Sequence, residues 1–516
     1  MTKLIHRSSR RKAIAVTVFA MQLCLQWGCG DDGKSSKHDT GDLDTTPVEI
    51  DSDLTVTQVC ESLPTADVSS PTNVVGDGTP AGCTEAALQD AATVGGVITF
   101  DCGADNTTIA IASTIVFTKE SVLDGGGRIT LDGQGATRLL YLDSGYDQTT
   151  PRLTVQHLRL VNGLAPTGGD DTAQGGGAIY RDGGSLTVSD CQFENNHAPS
   201  PGQDIAGGAI YAFGGGDTLI SDSTFIGNQA SNGGAVGSLN GDVIIVNSLF
   251  QGNRAAGYEG NPGHGGCGGA IYQDGRDEVT TLCGVNISNN EAGAIGGAVF
   301  RVSNDNSGKM TVNQCTFNHN TVTPDDDGNA GGLYLQGLQL VMENSTVSRN
   351  SAFYNGGLWI HTCHAMLTNV TIAENTATGS NGGGLWLSGP PTGTLTNCTI
   401  ANNHSIADDQ VAGAIFGAGL SLQNTIISGN TAMWVPGCSE THSDAGGNFQ
   451  WPDSALCTAS ITVADPQLGK LQNNGGPTET LRPGDQSVVR GTGVDCPATD
   501  QIGNPRTQPC TAGAVE

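Results

Sequence analysis

Basic residues are scarce. Lys and Arg number 22 against 51 Asp and Glu, for a formal net charge of −29 over 516 residues. That argues against nucleic acid and against anionic lipid surfaces, since both draw on clustered Lys and Arg. Five basic residues, Lys3, Arg7, Arg10, Arg11 and Lys12, crowd the N-terminus, so the rest of the chain is poorer still. Aromatics are 5% and charged residues 14%. No Cys-x-x-Cys occurs, which leaves a zinc ribbon without support. The longest apolar run, Ala13 to Leu25, is too short for a transmembrane span. Helix signals are almost missing; the one good stretch is Cys83 to Ala92, with Thr84 placed as N-cap.

Glycine is abundant, at 76 residues, and it is organised. Gly176-Gly177-Ala178-Ile179-Tyr180 is followed by Phe193-Glu194-Asn195-Asn196. The pair recurs as Gly207 to Tyr211 with Phe225 to Asn228, and as Gly233 to Val236 with Phe250 to Asn253. Later copies begin at Gly268, Gly296, Gly331, Gly356 and Gly383, and a worn copy at Ala412. A period of roughly 25–37 residues means a solenoid, which grows by stacking and escapes the usual domain-size limit.

The columns of the repeat carry the fold. The position at Phe193 reads Phe225, Phe250, Ile287, Phe317, Val347, Ile372, Ile400 and Ile427 in later copies, all apolar. Two residues earlier, Cys191, Ser223, Ser248, Val285, Cys315, Ser345, Val370, Cys398 and Thr425 are all small. Alternation puts both columns on one face, as inward ladders. Cys191, Cys315 and Cys398 on non-adjacent turns read as buried free thiols. One polar column runs Asp190, Asp222, Asn247, Asn344, Asn369, Asn397, Asn424; another runs from Asn196 through Asn228 and Asn253 to Asn430. Both are read as corners, because Asn accepts left-handed backbone and binds nearby amides. Stacked Asn also bond from turn to turn. Short strands, tight corners and stacked like residues predict an all-β, right-handed parallel β-helix with a short N-terminal capping helix.

The ends set the organisation. Residues 1–28 read as an export signal, and Gly28-Cys29 as its cleavage point. Residues 29–58 are an acidic tether, 59–160 an N-terminal cap with the first turns, 161–435 the repeats, and 436–516 a C-terminal cap. Fifteen cysteines fit an oxidising compartment. Close pairs outside the repeats predict disulfides Cys83–Cys102, Cys267–Cys283, Cys438–Cys457 and Cys496–Cys510, although connectivity stays open on sequence alone.

The GGA(I/V/L) and FxxN motifs over about residues 160–430 resemble the repeats of chlamydial-type polymorphic outer membrane proteins. Cys83 to Leu88, Ile98 to Phe100 and Asp124 to Leu131 resemble the entry region of bacterial right-handed β-helix surface proteins. Asp465 to Gly469, Asn474 to Thr478, Thr499 to Gly503 and Gly513 to Glu516 resemble the choice-of-anchor region of bacterial surface proteins. A small residue before Cys29 after an apolar run resembles a bacterial lipoprotein signal, which implies a lipid on Cys29; plain secretion and a retained anchor are the alternatives. Together these resemblances imply display at the cell surface or outer membrane, otherwise an extracellular protein. They imply no defined activity.

Three places invite chemistry. Loops between the Asn corner and the next Gly pair vary most, and insertions of this kind map to one rim. They carry Asp170, Asp171, Asp325, Asp326 and Asp327, besides Asp204, Glu259, Asp408 and Asp409, an edge with oxygen ligands for Ca²⁺; no cofactor is otherwise required. The second place is the residue after GG-x: Ile179, Ile210, Val236, Ile271, Val299, Tyr334, Trp359, Trp386. Its flanks change together, from Ala with Tyr to Leu with Leu or Ile, which keeps interior volume constant if both flanks point inward. Tyr334, Trp359 and Trp386 would then face outward as a flat strip for sugar rings. Polysaccharide or another cell surface is the implied partner. The third is a polysaccharide-degrading site built from Asp170-Asp171 and Gly263-His264-Gly265. Paired carboxylates suit hydrolysis, but loops are a poor frame for it, and Arg181, Arg254, Arg301, Arg349 and Lys309 are scattered.

Overall fold

The computed structural model describes residues 51–323, 327–406 and 412–516. The export signal, Cys29, most of the acidic tether, and Asp325, Asp326, Asp408 and Asp409 lie outside them. The described chain is a parallel β-solenoid of about 12 turns. Among the described residues no helix is long and apolar enough to cross a membrane.

Each turn visits the same sheets in the same order. A strand such as Ile179–Asp182 joins sheet B, and Ser185–Ser189 then Gln192–Glu194 join sheet A. From the second repeat onward, a two-residue strand such as Gln229–Ala230 or Arg254–Ala255 joins sheet C. Neighbouring turns pair in parallel without a register shift through the repeats: Phe193 meets Phe225, and Phe225 meets Phe250. Their rings stack at 4.6 and 4.5 Å between centroids, within 2° of parallel. The small column beside them is buried throughout, and the Cys191, Cys315 and Cys398 thiols are each pushed up to about 12 by burial.

The Gly pair is a packing requirement. Gly207 has φ +67°, the left-handed region. A Cβ on Gly208 would sit 2.3 Å from the Gly234 carbonyl oxygen of the next turn. Only glycine allows that approach.

The two Asn columns do different work. Asp190, Asp222, Asn247, Asn344, Asn369, Asn397 and Asn424 hold φ between 43° and 54°, as corner residues should. In the second column the left-handed residue is the one before the Asn: Asn195, Gly227, Gly252, Asn289, His319, Arg349, Glu374, Asn402 and Gly429. The ladder Asn itself turns inward. Asn228 Nδ2 donates to Asn253 Oδ1 at 2.9 Å, Asn253 Nδ2 to Asn290 Oδ1 at 2.9 Å, and the chain continues to Asn430.

The capping helix spans Glu85–Val94, and Thr84 accepts from the Ala87 amide as N-cap. Strands Asn73–Gly76 and Thr107–Ala110 lie on either side of the helix in the chain and both join sheet A. Disulfides Cys83–Cys102, Cys438–Cys457 and Cys496–Cys510 form as expected. The expected Cys267–Cys283 bond does not. Cys283 bonds Cys60, 223 residues away in sequence, and Cys267 is a buried free thiol beneath sheet B's outer aromatics. Cys60 reaches Cys283 because residues 58–67 are not part of the cap. They run along the corner between the two strands of sheet A, bonding Gln156, Ser221, Asp222 and Asn247.

The C-terminal segment doubles back along the same corner. Val494 exchanges bonds with Asn424, Thr511 and Gly513 accept from Asn397, and Thr499 accepts from Asn369. Further along, Glu479 meets Arg349 at 2.5 Å.

Candidate binding surface

Strand pairing in sheet B corrects the column reading. Ile179, Ile210, Val236, Ile271 and Val299 pair onward with Leu333, Leu358, Leu385 and Ile415, and all lie in the main core. Tyr334, Trp359 and Trp386 instead continue the column of Tyr141, Tyr180, Tyr211, Gly237, Tyr272 and Phe300, and Phe416 follows them. The later Gly pairs sit one place further along the register. Gly296 holds the left-handed corner in its turn, whereas Ala330, with φ 54°, holds it in the next, ahead of Gly331. The apparent volume compensation came from comparing residues across that slip. The three aromatics do face outward, but so does the whole Tyr column, and the Ile column faces inward.

The result is an aromatic ladder on the outer face of sheet B, separate from the solenoid core. Tyr141 and Tyr180 stack at 5.3 Å, Tyr272 and Phe300 at 5.4 Å, Phe300 and Tyr334 at 5.1 Å. At Gly237 the gap is closed by Ala206, whose Cβ would lie 2.5 Å from an added Cβ. Trp359 and Trp386 stack at 4.0 Å and 14°. Trp359 meets Tyr334 at 67° and Trp386 meets Phe416 at 66°. Each indole therefore spends one face on the other. This differs from the flat, face-out strip expected for sugar stacking.

The long loops cover most of this ladder. Asp204 O accepts from Tyr211 OH at 2.9 Å, Gly175 lies against the Tyr211 ring, and Asn261 bonds Tyr272 OH. Arg138 sits 4.5 Å over the Tyr180 ring. Tyr180, Tyr211, Tyr272, Phe300 and Tyr334 are buried; Tyr141 at one end and Trp359, Trp386 and Phe416 at the other are half-buried. At the tryptophan end, Trp359 Nε1 donates to Ser388 Oγ at 2.6 Å, and His361 Nδ1 lies 2.8 Å from the same oxygen. Burial holds His361 below the ordinary histidine range, so it is neutral at pH 7.

The acidic rim spends its oxygens locally. Asp170 caps the turn Asp171–Ala173 by accepting from the Thr172 amide and hydroxyl. Asp171 accepts from Gln174. Asp204 and Asp274 are both raised, first by burial; nearby carboxylates add to the rise at Asp204. Asp327 is exposed. Among the described residues no group of three or more His, Cys, Asp or Glu is placed to hold a metal ion.

His264 does not serve the Asp170-Asp171 pair. Its Nε2 lies 3.4 Å from Glu259 within its own hairpin, and its ring packs on Tyr258 at 4.7 Å. Arg181 and Arg301 are fully buried and donate to backbone carbonyls: Gly184, Gly214 and Gly216 for one, Gln336 and Glu278 for the other. Arg349 is paired with Glu374 and Glu479, and Arg254 lies 3.6 Å from Glu291. Lys309 is exposed on a strand of sheet A.

One group went unnoticed in the sequence. Glu278 is 2% exposed, and burial pushes it up to about 7 against the opposing pull of the backbone at Glu278 and Arg276 and of the Arg301 charge. It borders an open cleft of about 470 Å³ with Asp217, Asp242, Arg152 and Arg276. Asp277-Glu278 reads as an ordinary polar turn, and nothing in the local pattern signals a buried acid.

Residues 190–212 match the model of the Chlamydia polymorphic membrane protein (Chlamydia_PMP) repeat. The match runs from the corner at Asp190 through Phe193 and Asn196 to the next Gly pair and Tyr211. It points to a surface or outer membrane protein with a β-helix fold. No curated protein and no solved structure matches the chain.

Proposed function

We propose that this chain is a surface-displayed, non-enzymatic adhesion scaffold, held from its N-terminal side by a lipid on Cys29. It meets a glycan or glycan-coated surface through the tryptophan end of the outer aromatic ladder. The observation that carries this reading is the change along one column: rings are buried from Tyr180 to Tyr334, then half-buried at Trp359, Trp386 and Phe416, where two indoles stand side by side; at the opposite end the single ring of Tyr141 is half-buried too. Apolar rings beside polar groups suit a sugar, which offers C–H surface and hydroxyls together. Ser388 and His361 supply the polar part. Four disulfides agree with an exported protein. Binding to a polysaccharide panel and to intact cells, with and without Ca²⁺, tests the reading. Saturable binding that falls in Trp359→Ala and Trp386→Ala supports it.

A second reading is polysaccharide cleavage, and Glu278 is what favours it. A carboxyl near 7 beside other carboxylates in an open cleft is what a general acid needs. New reducing or unsaturated ends, lost in Glu278→Gln, would establish that reading instead.

A further inference from the structure

Residues 58–67 form a strap along the corner of the solenoid, and the strap and its disulfide change how the molecule would carry load. A pull on the N-terminal side of a bare solenoid would first reach its end strand, Asn73–Gly76, which has one paired neighbour, Gly96–Asp101. End strands peel one bond at a time, so solenoids fray from their ends. Here the chain does not enter at the end. Before it reaches Asn73 it has passed Cys60, which is bonded to Cys283 with 6.0 Å between Cα atoms.

Cys283 closes the strand Val279–Cys283, deep in sheet A. That strand is paired on one side with Val243–Val246 and on the other with Lys309–Asn313. The strap seats on the corner column around it. The Cys60 amide and carbonyl both bond Asn247, at 3.0 and 2.9 Å, and Ser62 bonds Asp222 at 2.8 Å. From the other end, the C-terminal segment bonds the same column at Asn344, Asn369, Asn397 and Asn424. The corner residues of this column are thus the docking points of both terminal segments.

We infer that Cys60–Cys283 is a mechanical clamp. It delivers force from the N-terminal side straight to the middle of the solenoid and keeps the turns before Cys283 out of the load path. The clamp has a use only if the chain is held at a surface from that side, so this inference rests on the proposed display. Its test needs neither surface nor ligand, and the two can fail separately.

The full chain is stretched between handles at its N- and C-termini. The disulfide bypasses a sequence separation of 223 residues, which extended measures about 74–80 nm at 3.3–3.6 Å per residue. The oxidised protein is expected to release that much less contour length than the Cys60→Ser, Cys283→Ser double variant, and to yield at higher force. Equal contour lengths, or first yielding of the oxidised protein from its N-terminal turns, would overturn the clamp. If the double variant does not fold, the oxidised protein decides alone: full-length release contradicts the clamp, and release short by that length supports it.

Discussion

Asn290 and Asn320 share a hydrogen bond of 2.9 Å from Nδ2 to Oδ1, one link in a file of buried amides running the length of the repeats. Asn290 Oδ1 also accepts from the Asn253 amide and side chain, at 2.8 and 2.9 Å, and its Nδ2 reaches the Phe250 and Ser288 carbonyls. Replacement by Ala leaves several of these groups buried without partners. Asn290→Ala should cost roughly 2–4 kcal/mol, since each stranded buried group costs about 1–3. Asn290→Asp should cost more at neutral pH, because a carboxylate accepts but cannot donate onward. Denaturant melts of the two variants check the order, and equal midpoints to wild type would remove the ladder from the account.

The sequence showed the ladders because each turn repeats the same environment, so column identity is written directly in the period. Phe193, Phe225 and Phe250 read as an inward file and stack as one. The Thr84 cap and the Cys83–Cys102 bond were legible because both are local. Long-range features were not. Cys60 pairs 223 residues downstream, and nothing near Cys60 or Cys283 names its partner. The Asn247 corner looked the same whether bare or covered by a strap. The aromatic column was misread for a subtler reason. Motif alignment anchored on the Gly pair, whereas the sheet is registered by backbone pairing, and the left-handed residue moves from Gly296 to Ala330. A one-residue slip exchanges the two faces of a strand.

Glu278 should make stability depend on pH. The unfolded group ionises near 4.5, and burial raises the folded group to about 7. Between those values the folded state holds the extra proton, so stability falls as pH rises from 4.5 through 7 and stays reduced above. The loss is at most about 3 kcal/mol by the usual conversion of pKa difference to free energy. Glu278→Gln should flatten the profile and melt higher than wild type at pH 8. Unchanged slopes across pH 4.5–7.5 would mean that the carboxyl is not desolvated.

Cys29 carries the attachment claim. Cys29→Ser should move the exported chain from the membrane fraction to the soluble one, with the solenoid and its disulfides intact. Partitioning that does not change would end the lipid anchor and leave plain secretion or a retained segment.

The most direct measurement pairs binding with turnover on one preparation. The oxidised chain is titrated against polysaccharides and intact cells, and the same samples are assayed for new reducing and unsaturated ends. Trp359→Ala and Trp386→Ala are run beside Tyr211→Phe, which alters the ladder where a loop covers it. The account predicts saturable binding, weakened at least tenfold in both Trp variants and unchanged in Tyr211→Phe, with no new ends. Sugar-chain cleavage, or binding indifferent to both tryptophans, would contradict it.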